Sequence, residues 1–193
     1  MKRVNNILIV GVGGQGVLLA SDILAQVALE EGFDVKKSEI HGMSQRGGSV
    51  FSHIRFGEKV YSPVIPEGCA DFFLSFELLE TTRWMYFLNK DTRVIYTDLK
   101  IPPSIVAAGK EKYPDNIDKI INENFKETIK IEINKHIKEI SSTRYINTFL
   151  LGILSNFMPF NLETWKKSLN ENIKRDKEKN LQVFLYGRKI ETK

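Results

Sequence analysis

The run VNNILIV (residues 4–10) passes directly into GVGGQG (residues 11–16), and a helical pattern follows as far as Glu31. No other feature of the chain constrains its fold as much. A short, continuous apolar run with β-branched residues suits a strand buried on both faces of a parallel sheet. A helix over residues 15–31 places Val17, Leu18, Ile23, Leu24, Val27 and Ala28 on one face, and Gly32 stops it. Residues 33–40 then read as a second strand. Strand, helix and parallel return make a right-handed βαβ unit.

The alternation continues along the chain. Residues 49–56 read as a strand, and Gly57-Glu58 as a hairpin turn into KVYSP, which gives a β-hairpin insertion. ADFFLSF (70–76) reads as a buried strand. ELLETTRWMYFLN reads as a helix with Leu78, Leu79, Trp84, Met85 and Leu88 turned inward. TRVIYTD (92–98) is a strand, and IPPS breaks the chain. NIDKIINENF gives a short helix, and residues 128–133 alternate as a strand. From about Asn134 to Ile190 the pattern is helical, interrupted at Ser141-Ser142, Pro159 and Gly187. The expected architecture is α/β: a Rossmann-like, mostly parallel sheet with a β-hairpin insertion and a helical C-terminal part. Residues 1–193 form one domain on this reading.

Composition removes several function classes. A net charge of +4, with no basic run interleaved with aromatics, argues against specific nucleic-acid binding. FLLGILSNFMPF (149–160) is too short for a membrane span and is broken by Asn156 and Pro159. The single cysteine, Cys69, cannot build a disulfide within the chain, a structural zinc site or an iron–sulfur cluster. It agrees with a reducing cytoplasm, and a buried small residue is its expected role. No metal site is expected.

Two motifs carry chemistry. Gly11, Gly13 and Gly16 fit G-x-G-x-x-G, and with Gly14 and Gln15 they form a candidate cofactor-binding turn. A helix N-terminus beyond such a turn can receive an anion. The ribose-binding acid of a dinucleotide site is poorly matched, because Asp34 begins the second strand and Glu39 falls late. A nucleotide site and a glycine turn made for close packing both remain open. The second motif is HGMSQRGG. Gly42, Gly47 and Gly48 permit unusual backbone and close approach. Met43 offers a soft apolar contact, with Ser44 and Gln45 as polar neighbours. Arg46 offers a planar fork for a carboxylate or phosphate. His41 can carry a proton near neutral pH, although it reads first as an anchor of the loop. Arg46 and His41 are the catalytic candidates. His53 alternates with apolar strand residues and reads as structural, and His136 reads as lying on an exposed helix face.

Together, NILIVGVGGQGVLLASDILAQVALEEGFDVKKSEIHGMSQRGGSVFSHIRFG resembles the start of the γ-type subunits of 2-oxoacid:ferredoxin oxidoreductases. Within that family HGMSQRGG is most similar to the indolepyruvate branch, whose corresponding subunit is called β. The resemblance continues in ADFFLSFELLET, in RYINTFLLGILSNFMPF with Asn147 and Gly152, and in KNLQVFLYG with Asn180. It is weakest between Pro102 and Ile133.

The resemblance implies an enzyme of anaerobic metabolism that oxidatively decarboxylates a 2-oxo acid, passes electrons to ferredoxin and transfers the acyl group to coenzyme A. It implies that thiamine diphosphate, Mg²⁺ and iron–sulfur clusters belong to a large partner subunit. This chain would hold no cofactor alone, would be inactive alone, and would meet coenzyme A at the interface. The loop of Gly42, Met43, Ser44, Gln45, Arg46, Gly47 and Gly48 would then face the partner's active site or the partner itself. The competing readings are a stand-alone NAD- or FAD-binding protein and a regulatory module.

Overall fold

The computed structural model describes residues 4–41 and 48–191. Among these residues the strands are β1 (Asn5–Val12), β2 (Asp34–His41), β3 (Ser49–Gly57), β4 (Phe72–Ser75), β5 (Arg93–Thr97) and β6 (Glu127–Ile131). The helices are α1 (Val17–Glu30), α2 (Leu78–Arg83), α3 (Ser104–Ala107), α4 (Ile117–Asn124), α5 (Ile133–Ile140), α6 (Ile146–Ser155), α7 (Leu162–Asn172) and α8 (Lys177–Arg188). The strands form one sheet in the order β2-β3-β1-β4-β5-β6. The pairs β1–β4, β4–β5 and β5–β6 are parallel, whereas β3 is antiparallel to both β1 and β2.

Strand alternation sorts the core into two layers. Ile7 and Ile9 of β1 pack with α1, α6, α7 and α8 on one face. Leu8 and Val10 pack with Leu78, Phe87, Ile117 and Ile121 on the other. β1 is apolar from Ile7 to Val10 because helices cover both of its faces there. Every residue of α6 is buried, including Asn147, Thr148 and Ser155. α6 therefore runs through the C-terminal layer instead of over its surface.

The α/β, mostly parallel sheet matches the expectation, with revisions in its details. β2 points the same way as β1 but does not pair with it, because β3 lies between them. The antiparallel hairpin is present, but its limbs are β2 and β3 across the HGMSQRGG loop. Residues 59–63 carry no strand. The anchors of that segment are side chains: Arg55 Nη1 donates to the carbonyls of Ser62 (2.9 Å) and Val64 (3.1 Å), and the Val60 amide donates to Asp34 (2.9 Å). The expected helix over 77–89 divides into α2 and a 3₁₀ turn, Met85–Phe87. Cys69 is exposed, contrary to expectation. It closes a turn before β4, and the buried small residue is its neighbour Ala70. His136 is half-buried: its Nδ1 lies 2.9 Å from the Tyr186 hydroxyl and its ring packs on Phe149.

His53 is structural, as read. It is 2% exposed, edge-on to Phe51 and Phe87, and its Nδ1 accepts the Ile65 amide at 3.3 Å. Burial, helped by the Arg55 charge, lowers its pKa to about 4. The unfolded chain takes up this proton near pH 6.5 and the folded protein only near pH 4. Stability from this group is therefore complete above about pH 6.5 and is lost as pH falls toward 4. The expected loss by about pH 4.5 is on the order of 2 kcal/mol after allowance for solvent. His53→Gln, which keeps an acceptor for Ile65, should remove that share. Thermal unfolding of both proteins near pH 7 and near pH 4.5 checks it, and equal losses in the two would refute it.

Candidate functional site

β1, β4, β5 and β6 end at one edge of the sheet, and the GVGGQG turn leaves β1 there. β3 runs the other way, so its first residue stands at the same edge, with Ser49 opposite Val12. His41 ends β2 opposite Val50. The two sequence motifs thus open from one edge, where open α/β sheets place their ligands. They are also joined, because the Gly13 amide donates to the Gly48 carbonyl at 2.8 Å. Gly42, Met43, Ser44, Gln45, Arg46 and Gly47 lie outside the described residues.

The glycine turn closes on its own chain. Gln15 Oε1 accepts the Val12 amide and Gln15 Nε2 donates to the Phe76 carbonyl, both at 2.8 Å. A Cβ on Gly11 would stand 2.8 Å from that Gln15 oxygen and 3.2 Å from Phe76 Cβ. The space freed by the first glycine is therefore filled by Gln15. Gly16 adopts φ 78°, and a Cβ there would meet Asn147 Nδ2 at 2.4 Å. Of these three glycines only Gly14, at φ 102°, faces open space. α1 starts at Gly16 with no capping side chain and no acid in its first turn, an arrangement compatible with an anion.

The acids of β2 are engaged elsewhere than at this turn: Glu39 accepts from the Ser21 hydroxyl of α1 at 3.3 Å. With β3 interposed, the end of β2 lies two strand spacings from β1, about 10 Å. Glu39 pairs with Lys37 at 2.6 Å, and Asp34 with Lys36 at 2.7 Å. The stand-alone dinucleotide reading is disfavoured here, because Glu39 and Asp34 already hold lysines.

Behind the turn, Thr148 donates to Asn180 Oδ1 at 2.7 Å, and Asn180 Nδ2 donates to the Asp176 carbonyl at 3.0 Å. Asn147 and Asn180 line a cleft with Leu19, Asn172, Arg144, Lys174, Arg175 and Asp176. Arg144 is paired with Asp176 at 3.1 Å, and Lys174 and Arg175 leave the cleft basic.

Two carboxylates that the sequence reading did not single out stand at the same edge. Glu77, 1% exposed, caps α2 by accepting the Glu80 amide at 2.9 Å, and its other oxygen accepts from the Ile101 amide (2.9 Å) and the Tyr113 hydroxyl (2.7 Å). Burial and the Glu77 contact push the Tyr113 hydroxyl pKa strongly upward. Glu80, 3% exposed, accepts from the Ser49 hydroxyl, Trp84 Nε1 (3.0 Å) and Arg83 Nε (2.9 Å). The signal in sequence was E-x-x-E at the start of a helix, a capping pattern with Glu in place of the usual Ser, Thr, Asp or Asn.

Comparison with known proteins places this geometry. The family model for pyruvate ferredoxin/flavodoxin oxidoreductase matches residues 6–190. The chain is 42% identical over 174 residues to the indolepyruvate oxidoreductase subunit IorB of Archaeoglobus fulgidus, covering 88% of this chain and 86% of that protein. It is 42% identical over 160 residues to the subunit of the same name from Thermococcus kodakarensis, covering 81% of this chain and 79% of that protein. Among solved structures it resembles the keto/oxoacid ferredoxin oxidoreductase γ subunit of Geobacter sulfurreducens, with TM-score 0.69, 21% identity and 95% of each chain covered. It also resembles the 2-oxoglutarate:ferredoxin oxidoreductase of Magnetococcus marinus, whose structure holds 2-oxoglutarate, coenzyme A and succinyl-CoA, with TM-score 0.74 and 20% identity. That match covers 97% of this chain but 31% of the other. The chain belongs to the pyruvate ferredoxin/flavodoxin oxidoreductase family. Among the described residues no group of three or more His, Cys, Asp or Glu is placed to hold a metal ion, and no helix is long and apolar enough to cross a membrane.

Proposed function

We propose that the chain is the small subunit of a 2-oxoacid:ferredoxin oxidoreductase acting on indolepyruvate and related arylpyruvates, and that its carboxyl-edge loops complete an active site held mainly by a large partner subunit. The observation that carries this reading is the joint between Gly13 and Gly48. It unites the glycine turn and the HGMSQRGG loop on one edge, while the groups beneath are satisfied within the chain. The 42% identity to subunits named for indolepyruvate supports the substrate class. Thiamine diphosphate with Mg²⁺ and the iron–sulfur clusters belong to the partner, where the former supplies the electron sink for decarboxylation and the latter the route to ferredoxin. The reaction is cytoplasmic on this reading.

What this chain adds is binding and orientation. Arg46 steadies a substrate carboxylate or a coenzyme A phosphate, His41 anchors the loop, and Gly42, Met43, Ser44, Gln45, Gly47 and Gly48 let it approach closely. The features present fit a phosphate-bearing ligand: α1 opens with no cap and no acid, and Lys174 and Arg175 add positive charge beyond Asn147. The chain alone is inactive. Arg46→Ala, assembled with the partner, should lower kcat/KM for coenzyme A or the 2-oxo acid by about ten- to a hundredfold, the value of one charge-assisted contact. Steady-state kinetics of the purified complex measure it. Unchanged assembly with unchanged kinetics for both substrates would rule the loop reading out.

A further inference from the structure

The HGMSQRGG loop returns to the sheet at Gly48 and Ser49, and two different elements hold that point. On one side the Gly13 amide bonds to Gly48. On the other, the Ser49 hydroxyl bonds to Glu80 on α2, and Trp84 Nε1 reaches both Glu80 (3.0 Å) and Ser49 Oγ (3.2 Å). The Trp84 ring lies on Phe51, centroids 3.8 Å apart, and Arg83 takes the second Glu80 oxygen at 2.9 Å. Glu80 is thus a buried carboxylate with donors from three side chains, one of them at the foot of the loop.

A buried ion is seldom the most stabilising choice, because a well-packed apolar residue often does as well. What its hydrogen bonds supply is direction, and they fix one hydroxyl relative to one helix. α2 is itself held at the carboxyl edge, where the Leu78 amide donates to the Leu99 carbonyl and Glu77 accepts from the Ile101 amide, each at 2.9 Å. The chain of contacts therefore runs from the edge of the sheet through α2 to the return limb of the loop.

We propose that Glu80 is a positioning residue for the reaction: through Ser49, with Trp84, it sets where the return limb of the loop leaves the sheet. The proposal rests on the reading that this loop acts at the partner's active site. It assigns Glu80 no contact with substrate or cofactor.

The Gly13 amide reports directly on the foot of the loop, so native-state hydrogen exchange of the full chain tests the clamp without the partner. Glu80→Gln removes the charge and one acceptor. Ser49→Ala removes the hydroxyl and leaves the Arg83–Glu80 pair intact, so it serves if the first variant folds poorly. Each should speed exchange at Gly13 by about tenfold or more, with the Ile7–Val10 amides of β1 unchanged, as a local opening requires. Each should also lower kcat/KM of the assembled enzyme by about tenfold at unchanged assembly, the cost of a misplaced loop. Gly13 protection that stays the same, or falls only in step with β1, overturns the clamp. Faster Gly13 exchange with unchanged kcat/KM, while Arg46→Ala lowers it, overturns the positioning role and leaves the loop reading standing. If Arg46→Ala is inert as well, the loop reading fails and takes the proposal with it.

Discussion

Gly152→Ala should destabilise the protein by about 3 kcal/mol or more, lowering Tm by roughly 10 °C for a chain of this size. A Cβ on Gly152 would stand 2.2 Å from the Phe184 carbonyl oxygen and 3.1 Å from Gly187 Cα. Both are backbone atoms, so no side-chain rotation relieves the clash. The contact is reciprocal, since a Cβ on Gly187 would stand 2.3 Å from the Phe149 carbonyl oxygen. Two glycines thus face each other where α6 crosses α8, and either substitution pushes the helices apart. Alanine favours the helix by up to about 1 kcal/mol over glycine. That gain is smaller than the cost of opening a crossing in which all of α6 is buried. The effect also reaches the site, because α6 carries Asn147 against Gly16. Denaturant or thermal unfolding decides the matter, and a Gly152→Ala protein as stable as the parent would show that the helices are not locked together here.

The legibility of this chain divides along a physical line. Local pattern was enough for β1, the glycine turn and α1, because apolar run, punctuation and helical face all lie within one stretch. It was enough for His53, which alternates with apolar strand residues and is buried. Pattern could not show the order of strands. β2 and β3 each look like ordinary strands, and only their pairing across the HGMSQRGG loop puts β3 between β2 and β1. That one insertion weighs against the dinucleotide reading, by the position of β2 instead of by residue type. The glycines illustrate the same limit. Gly11 and Gly16 matched a nucleotide fingerprint, yet the atoms filling their missing side chains are Gln15, four residues away, and Asn147, at the other end of the chain. Cysteine is buried on average, but Cys69 closes a turn, and a turn needs no buried side chain. Glu77 and Glu80 were passed over for the opposite reason. On a short helix two glutamates look like solvent, and only tertiary contacts enclose them: Ile101 and Tyr113 over Glu77, and Ser49 and Trp84 beside Glu80.

Glu77→Ala tests how much that enclosed carboxylate contributes, and the expected loss is roughly 3 to 4 kcal/mol. The three donors at Glu77 are the Glu80 amide, the Ile101 amide and the Tyr113 hydroxyl. Each contributes about 1 kcal/mol or somewhat more when its acceptor is charged, and each costs a similar amount when left buried without a partner. Loss of the α2 cap is included in that sum. Because natural stability is about 5–15 kcal/mol, such a loss is a large fraction of the total. Glu77→Gln provides the control. It keeps one carbonyl oxygen for Ile101 and Tyr113 but replaces the capping oxygen with an amide donor that faces the Glu80 amide. It should therefore fall between the parent and Glu77→Ala in chemical denaturation. If both variants matched the parent, the donors would have found water, and the carboxyl edge would be open to solvent at α2. If both lost stability equally, the negative charge itself would be the essential element, acting on the N-terminal amides of α2 and on the Tyr113 hydroxyl, whose pKa burial and Glu77 push upward.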